Sequence, residues 1–321
     1  MSSIERYQSI DFLKLSLAIM VVAVHCGFLF EFNDLFFHLT SSGIFRITVP
    51  AFAVISGYFI YGKLDKLNFQ LWTKRMVSLY LVWTVIYSPF ILTSTNLLRL
   101  IIDLLFGYFH LWYLAALIGG GFLLFILKDL TDLRLLLLSI ITFLVGVFFQ
   151  YAAEYDFFGS THLITKILTY KFLYRNFLFF GFPFLTLGYL IRKNRVASSI
   201  RFNSAILLVL ILAVFYLVEC LIYFKKLSGD YSAHDVYLLS FLLCPAILIL
   251  AIKMNSSFSN FQTKRLNAYF IGIYLVHPIF IMLYSKSLTL NSIYLFGMVL
   301  ISSIIATSFL IQIKRRFKYI L

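Results

Sequence analysis

The chain has 321 residues, of which 62% are hydrophobic and only 12% are charged. Soluble globular proteins have about 45–50% apolar and about 25% charged residues, so this composition excludes an ordinary soluble domain and predicts an integral membrane protein. The formal net charge of +14 does not indicate a nucleic-acid partner, because the basic residues occur in short clusters between apolar stretches rather than on one soluble face.

Ten apolar stretches predict an all-α, polytopic membrane protein with about ten transmembrane helices. Each span needs about 20 residues. The connections must therefore be short, and we expect a single integral-membrane domain over residues 1–321. The predicted spans are Ser9–Phe30, Ile44–Tyr61, Met76–Leu92, Phe106–Leu127, Leu135–Gln150, Phe172–Ile191, Ala205–Phe224, Val236–Ile252, Ala268–Tyr284 and Ser292–Ile313.

The distribution of basic residues predicts the orientation of these spans. With the amino terminus in the cytoplasm, 19 of the 27 Lys and Arg residues fall on cytoplasmic ends and loops. Cytoplasmic loops are enriched in these residues, so we expect both termini inside (N-in and C-in). No small-residue cleavage site follows the first stretch, which is expected to be retained as a span. The connection Tyr151–Lys171 has room for a short interfacial helix.

The first span carries three ionisable residues, Asp11, Lys14 and His25. A charged group at the centre of a membrane helix costs about 2.5–3.5 kcal/mol on insertion scales, so such residues usually face protein or a wet cavity. Lys14 and His25 are eleven residues apart, which places them near one helix face and about 16 Å apart along the axis. Asp11 and Lys14 are spaced to form an ion pair. Taken alone, Lys14 is typical of a membrane anchor and His25 of a hydrogen-bonded core histidine.

The second span opens with Arg46, followed by Pro50 and the Ser56–Gly57–Tyr58 triplet. The proline and the Ser–Gly pair favour a distorted helix packed against protein. An Arg in this position is suited to bind a carboxylate or a sugar hydroxyl, although as an isolated feature it more often extends to the interface.

The fourth and ninth spans each add a histidine. His110 precedes Trp112 and Tyr113, a combination that is also typical of the aromatic belt at a membrane surface. His277 lies inside the ninth span and is followed by Pro278, which distorts helices. Three membrane-embedded imidazoles, at positions 25, 110 and 277, exceed what packing requires.

Metal, redox and nucleotide sites are not indicated. No pair of histidines has the HxxxH spacing of a helix-borne zinc site, so no metal is expected. Cys26, Cys220 and Cys244 occur singly and are expected to be free buried thiols. The glycines Gly119–Gly121 are better explained by close helix packing than by a phosphate-binding loop.

Four motifs together resemble the membrane acyltransferase family called acyltransferase 3. They are Asp11-x-x-Lys14-x10-His25, Arg46-x-x-Val49-Pro50 continuing to Ser56-Gly57-Tyr58, His110-Leu111-Trp112-Tyr113-Leu114, and Gly272-Ile273-Tyr274-Leu275-Val276-His277-Pro278. Their order, their spacing and the ten-span layout cover essentially the whole chain, and the chain most resembles the short members of the family.

The resemblance implies a multi-pass enzyme of the bacterial inner membrane that transfers an acyl group from cytoplasmic acyl-CoA to a glycan hydroxyl. The acyl group is usually acetyl, and the acceptor is a cell-surface polysaccharide or its lipid-linked precursor. His25 would be the catalytic histidine, with Asp11 and Lys14 beside it. Lys14 stands where the family usually has Arg, so the charge is kept but the bidentate fork is lost.

Acyl transfer to an alcohol needs a base, donors for the developing oxyanion and an anchor for the anionic donor. His25, held neutral by burial, is the expected base. The cations Lys74, Arg75, Arg192 and Lys193 are the expected contacts of the CoA phosphates, and acetyl-CoA is expected as a substrate rather than as a bound cofactor. The expected substrate-binding residues are Arg46, Ser56, Tyr58, His110, Trp112, Tyr113 and His277.

The sequence leaves several alternatives open. A glycan transporter or polymerase component without acyl-transfer activity would also have many spans with intramembrane charges, although polymerases usually carry a large periplasmic loop. Direct transfer and a route through an acylated His25 are both compatible with these residues, as are acetyl and other short acyl groups.

Overall fold

The computed structural model describes residues 7–93, 96–159, 163–226, 234–258, 263, 266–287, 291–314, 316–317 and 319–321. Within these ranges the regular structure is helical and no residue lies in a strand, which confirms the all-α prediction. The α-helices are α1 (Gln8–His25), α2 (Asp34–Thr40), α3 (Thr48–Ile60), α4 (Lys66–Ile91), α5 (Leu97–Ile102), α6 (Trp112–Leu127), α7 (Asp132–Glu154), α8 (Leu163–Leu168), α9 (Phe182–Lys193), α10 (Val196–Ser199), α11 (Phe202–Lys226), α12 (Ser240–Lys253), α13 (Asn255–Phe258), α14 (Leu266–Ser287) and α15 (Ser292–Ile313).

Short 3₁₀ and π segments join several of these helices. The 3₁₀ turns are Ile44–Ile47, Tyr61–Lys63, Phe109–Leu111 and Lys171–Leu173, and the π segments are Asp103–Gly107 and Phe177–Gly181. The short helix expected in the connection Tyr151–Lys171 is present as α8.

Seven helical segments in the described part of the chain are long and apolar enough to cross a membrane. They are Gln8–His25, Asp34–Lys63, Phe109–Leu127, Asp132–Glu154, Phe202–Lys225, Leu266–Ser285 and Ser292–Ile313. They overlap seven of the predicted spans and support a membrane protein. The other three predicted spans are Met76–Leu92, which lies on α4, Phe172–Ile191, which lies on the π segment Phe177–Gly181 and α9, and Val236–Ile252, which lies on α12. The total of ten spans and the N-in, C-in orientation stay predictions.

The helices in two predicted spans have different bounds in the structure: the first ends earlier and the fourth begins later. The first helix ends at His25 rather than Phe30, because Gly27 and Leu29 adopt left-handed backbone angles, with φ of 63° and 69°. His25 is therefore at the carboxyl end of α1. In the fourth span Gly107 and Phe109 also have positive φ, so the α-helix begins only after the 3₁₀ turn Phe109–Leu111.

The chain divides into two compact units, and the division falls within α3. The first unit comprises Met1–Phe52, Arg195–Tyr319 and Leu321, and the second comprises Ala53–Asn194 and Ile320. In the first unit α1 packs against α14, α14 against α15 and α11 against α12. In the second unit α6 and α7 pack against α9. The single acyltransferase domain remains a prediction.

Glycines allow unusually close helix contacts in the second unit. A Cβ atom at Gly57 of α3 would overlap the carbonyl oxygen of Leu185 in α9, and one at Gly188 of α9 would overlap that of Val54. A Cβ at Gly120 would lie 2.6 Å from the carbonyl carbon of Gly181. These contacts confirm the packing interpretation of the Gly119–Gly121 run. The three cysteines are buried and free, as predicted.

Candidate functional site

Two histidines meet in the first unit. His25, the last residue of α1, places its Nδ1 atom 3.0 Å from Nε2 of His277 in α14. The ring of His277 is fully buried, and its Nδ1 atom lies 3.0 Å from the carbonyl oxygen of Ile273, one turn earlier. The sequence identified both histidines but did not predict that they touch.

The contacts of His277 determine which nitrogen of His25 is basic. A carbonyl oxygen only accepts hydrogen bonds, so Nδ1 of His277 must donate to Ile273. In the neutral ring, Nε2 of His277 is then an acceptor, and Nδ1 of His25 donates to it. The unprotonated nitrogen of neutral His25 is therefore Nε2. This is the arrangement of a general base whose tautomer is set by a second group.

A second polar network lies in the amino-terminal part of α1. The Nζ atom of Lys14 is 3.2 Å from Oδ1 of Asn267 and 3.9 Å from Oδ1 of Asp11, which confirms the predicted ion pair. Thr263 donates to Oδ2 of Asp11 at 2.8 Å, and the ring of Phe270 lies 5.3 Å from Lys14 Nζ. The lysine charge is thus held among a carboxylate, an amide oxygen and an aromatic face.

These two contact points show how α1 and α14 are arranged. Lys14 meets Asn267 and, further along both helices, His25 meets His277. The contacts follow in the same order, so the two helices run side by side in the same direction. Asn267 was missed by the sequence reasoning. Its position ten residues before His277, nearly the spacing of Lys14 and His25, is the signal that would have found it.

Arg46 also lies in the first unit, in the 3₁₀ turn before α3. Its Nη1 atom is 3.1 Å from Oδ1 of Asp235, and the two side chains are only 17% and 4% exposed. The carboxylate that this Arg was expected to bind is therefore supplied by the chain itself.

The remaining predicted substrate-binding residues lie in the second unit. His110 is buried and packs edge-on against Tyr87, with ring centroids 5.2 Å apart. The hydroxyls of Ser56 and Tyr113 are 3.4 Å apart, and Trp112 packs edge-on against Tyr113. The structure does not place these residues in the same unit as His25.

The four predicted CoA-binding cations also lie in this second unit. Arg192 donates to the hydroxyl of Tyr58 at 2.5 Å, and its guanidinium lies 4.9 Å from the centre of the same ring. Lys193 donates to Asp132 at 2.6 Å, and this hydrogen bond raises the pKa of Lys193. Lys74 and Arg75 are exposed on α4. Lys193 has its charge balanced internally, whereas Lys74 and Arg75 point their charge to the surroundings.

Metal ligation finds no support in the described ranges, where no three His, Cys, Asp or Glu side chains are grouped so as to hold a metal ion. The hydrogen bonds of His277 make His25 an imidazole with an oriented tautomer.

The comparison with protein families establishes the class. A family model described as an acyltransferase domain, acyltransferase 3, matches residues 7–312. The chain belongs to this family. The match includes both histidines, the Lys14 network and Arg46, and it confirms the resemblance inferred from the four motifs. Membership supports acyl transfer and a membrane location.

The chain is also similar to two enterococcal proteins that are named as racemases. An amino-acid racemase of Enterococcus faecalis is 28% identical over 98% of this chain and 47% of its own length. A serine/alanine racemase of Enterococcus gallinarum is 27% identical over 84% of this chain and 40% of its own length. The chain thus spans about half, or less, of these curated relatives. No solved structure matches it.

Proposed function

We propose that this protein is a membrane O-acyltransferase of the bacterial inner membrane. It transfers an acyl group, acetyl in the first instance, from cytoplasmic acyl-CoA to a hydroxyl of a cell-surface polysaccharide or its lipid-linked precursor. The observation that carries this proposal is the His25–His277 pair, an oriented base inside a family domain that performs acyl transfer.

The reaction follows from the tautomer of His25. Its Nε2 atom takes the proton of the acceptor hydroxyl as the hydroxyl oxygen attacks the thioester carbonyl carbon. The carbon–sulfur bond then breaks, and the imidazolium of His25 returns the proton to the leaving CoA thiolate. His277 accepts from Nδ1 of His25 throughout, so it keeps the ring oriented and stabilises the imidazolium.

The donor is a polyanion and needs cationic contacts. The exposed cations Lys74 and Arg75 are proposed to meet its phosphates, together with Arg192, because charge-assisted hydrogen bonds are the strongest contacts to phosphate. Lys193 is expected to contribute less, since Asp132 already balances its charge. Lys14 is proposed to support α1 from the same helix face as His25 rather than to contact the reacting atoms.

The racemase names of the relatives suggest a second acceptor. Those proteins are at least twice as long as this chain, so their activity is not assigned to it. However, the name serine/alanine racemase points to serine, whose hydroxyl is a chemically suitable acyl acceptor. Free serine therefore belongs among the acceptors to be tested.

The proposal is tested with the purified protein in lipid nanodiscs and labelled acetyl-CoA. We expect labelled ester on a glycan precursor, released by mild base, and no change in the configuration of free serine or alanine. Transport or polymerase activity without label transfer would contradict the proposal, as would inversion of either amino acid.

A matching experiment in cells names the group transferred. Mass spectra of surface glycan with and without the gene should differ by one acyl unit at unchanged chain length. Altered chain length or accumulated precursor, with no acyl difference, would instead support a glycan transporter or polymerase component.

A further inference from the structure

A polar cluster in the first unit has no part in the proton transfer proposed for His25. It consists of Arg46, Asp235, His38, His234 and Tyr223, and we call it the Arg46 cluster. Asp235 binds Nη1 of Arg46, yet the Nε atom of Arg46 is buried without a hydrogen-bond partner among the described residues. A buried charged N–H that lacks an acceptor is costly, so this position favours an oxygen from a ligand.

His38 supplies an acceptor in the same cluster. Its Nε2 atom lies 3.0 Å from the carbonyl oxygen of Cys220 and must donate to it, which leaves Nδ1 as the acceptor of the neutral ring. Ring contacts connect His38 through Tyr223 to His234, whose neighbour Asp235 binds Arg46. The cluster therefore presents one N–H donor and one ring-nitrogen acceptor.

The other members hold these two groups in place. The rings of Tyr223 and His38 are nearly parallel, with centroids 5.9 Å apart and an interplanar angle of 14°. The ring of His234 also packs on Tyr223, with centroids 4.0 Å apart. His234 is fully buried and the side chain of Asp235 nearly so, whereas Arg46 and His38 are only partly buried. Such a rigid support around a donor and an acceptor is typical of a binding site.

The chain also links this cluster to the end of α1. Phe28, three residues after His25, accepts a hydrogen bond at its carbonyl oxygen from the hydroxyl of Ser41 at 2.9 Å. The rings of Phe28 and Phe45 are 6.5 Å apart, and Phe45 immediately precedes Arg46. The cluster thus lies in the same unit as the catalytic base and is tied to the segment that follows it.

We propose that the Arg46 cluster binds the acyl acceptor and that this acceptor is an uncharged sugar. Neighbouring sugar hydroxyls would accept from Nε–H of Arg46 and donate to Nδ1 of His38, because a hydroxyl does both. An anionic acceptor fits less well, since Asp235 already balances the charge of Arg46 and a further negative charge would be uncompensated. This inference rests on the proposed acyl transfer and names its acceptor class.

The test compares acceptor kinetics of purified variants in nanodiscs. Arg46→Lys keeps a cation for Asp235 but removes the Nε–H donor. His38→Phe keeps the packing on Tyr223 and removes the ring nitrogens. Tyr237→Phe is the matched control, since it removes a nearby hydrogen bond to the carbonyl oxygen of Ser42 without touching the proposed donor or acceptor.

Two lipid-linked probes are used, one ending in N-acetylglucosamine and one ending in glucuronic acid. The wild-type protein should prefer the neutral probe. Arg46→Lys and His38→Phe should each raise the KM for that probe about tenfold, as expected for loss of one hydrogen bond to a charged or oriented group. The KM for acetyl-CoA should be unchanged, and Tyr237→Phe should behave as wild type. Thermal unfolding of each variant identifies any that is misfolded.

A preference for the acidic probe would overturn the inference, and so would unchanged KM values in the two folded variants. In both cases the wild-type protein would still transfer acetyl. Failure of the proposed function itself has a different signature, because the wild-type protein would then transfer label to no hydroxyl at all.

Discussion

The orientation of His25 by His277 gives the most specific prediction. Replacing His277 with Phe removes the acceptor of the His25 Nδ1–H bond and takes away the partner of an N–H that lies in a partly buried place. Such a group costs about 1–3 kcal/mol, and the ring is expected to escape the cost by rotating or by changing tautomer. Either change removes Nε2 from its role as base.

The size of the effect follows from this cost. If about 1–3 kcal/mol appears in the barrier, at about 1.36 kcal/mol per tenfold, kcat falls about five- to 150-fold. His277→Gln can restore an acceptor oxygen and should recover a large part of the rate. The KM for acetyl-CoA should not change in either variant, because the lost interaction does not touch the donor phosphates.

The assay is the rate of labelled acetyl transfer by purified protein in nanodiscs. Tyr269→Phe is the control, since it removes one hydrogen bond between α14 and Ser308 of α15, two turns before His277 along the same helix. A His277→Phe protein that is folded and has a normal kcat would refute the assignment of His277 as a positioning residue. Equal loss in the Tyr269→Phe protein would show that α14 is merely sensitive to any change.

Three further predictions concern the support of this site and of the fold. Lys14→Arg should keep substantial activity, whereas Lys14→Ala should lower the transfer rate about tenfold or more. A tenfold loss corresponds to about 1.4 kcal/mol in the activation free energy. Normal transfer by Lys14→Ala would contradict the role of the Lys14–Asn267 network. The hydrogen bond from the Ser292 hydroxyl lowers the pKa of Glu31 from its usual value near 4.5. The ionised Glu31 therefore stabilises the fold above the usual pKa of 4.5, and this stabilisation is lost as the pH falls through the lowered pKa of the folded protein. The melting temperatures of wild type and Glu31→Gln should thus differ at neutral pH and converge in acid. A difference that does not change with pH would be inconsistent with this. Gly188→Ala should destabilise the protein by about 1–3 kcal/mol through overpacking. Gly297→Ala is the control, because a Cβ there meets nothing within 4 Å, and it should not lower the melting temperature. Equal melting temperatures for the two variants would show that α3 and α9 tolerate separation.

The sequence predicted the class of the fold and some local contacts of the candidate site, for physical reasons that are local. Apolar runs of membrane length reveal helices because lipid leaves the backbone no other partner. Asp11 and Lys14 could be paired from their spacing alone, since residues three apart share a helix face. Gly57 and Gly119–Gly121 could likewise be assigned to packing.

What the sequence could not predict depends on contacts between distant segments. His25 and His277 are 252 residues apart in the chain, and only the side-by-side packing of α1 and α14 brings their rings together. The partners of Arg46 and Lys14, Asp235 and Asn267, are equally remote. The end of α1 at His25 was missed because apolar residues continue to Phe30, while the left-handed angles at Gly27 and Leu29 end the helix.

The rate of acetyl transfer by purified His25→Ala protein decides whether His25 is the base. We expect that this variant inserts in the membrane and folds normally but transfers no label from acetyl-CoA to a hydroxyl acceptor. Cys26→Ala, which alters the neighbouring buried residue, should transfer at the wild-type rate. Near-normal transfer by the His25→Ala protein would contradict this role of His25 and move the chemistry to another histidine.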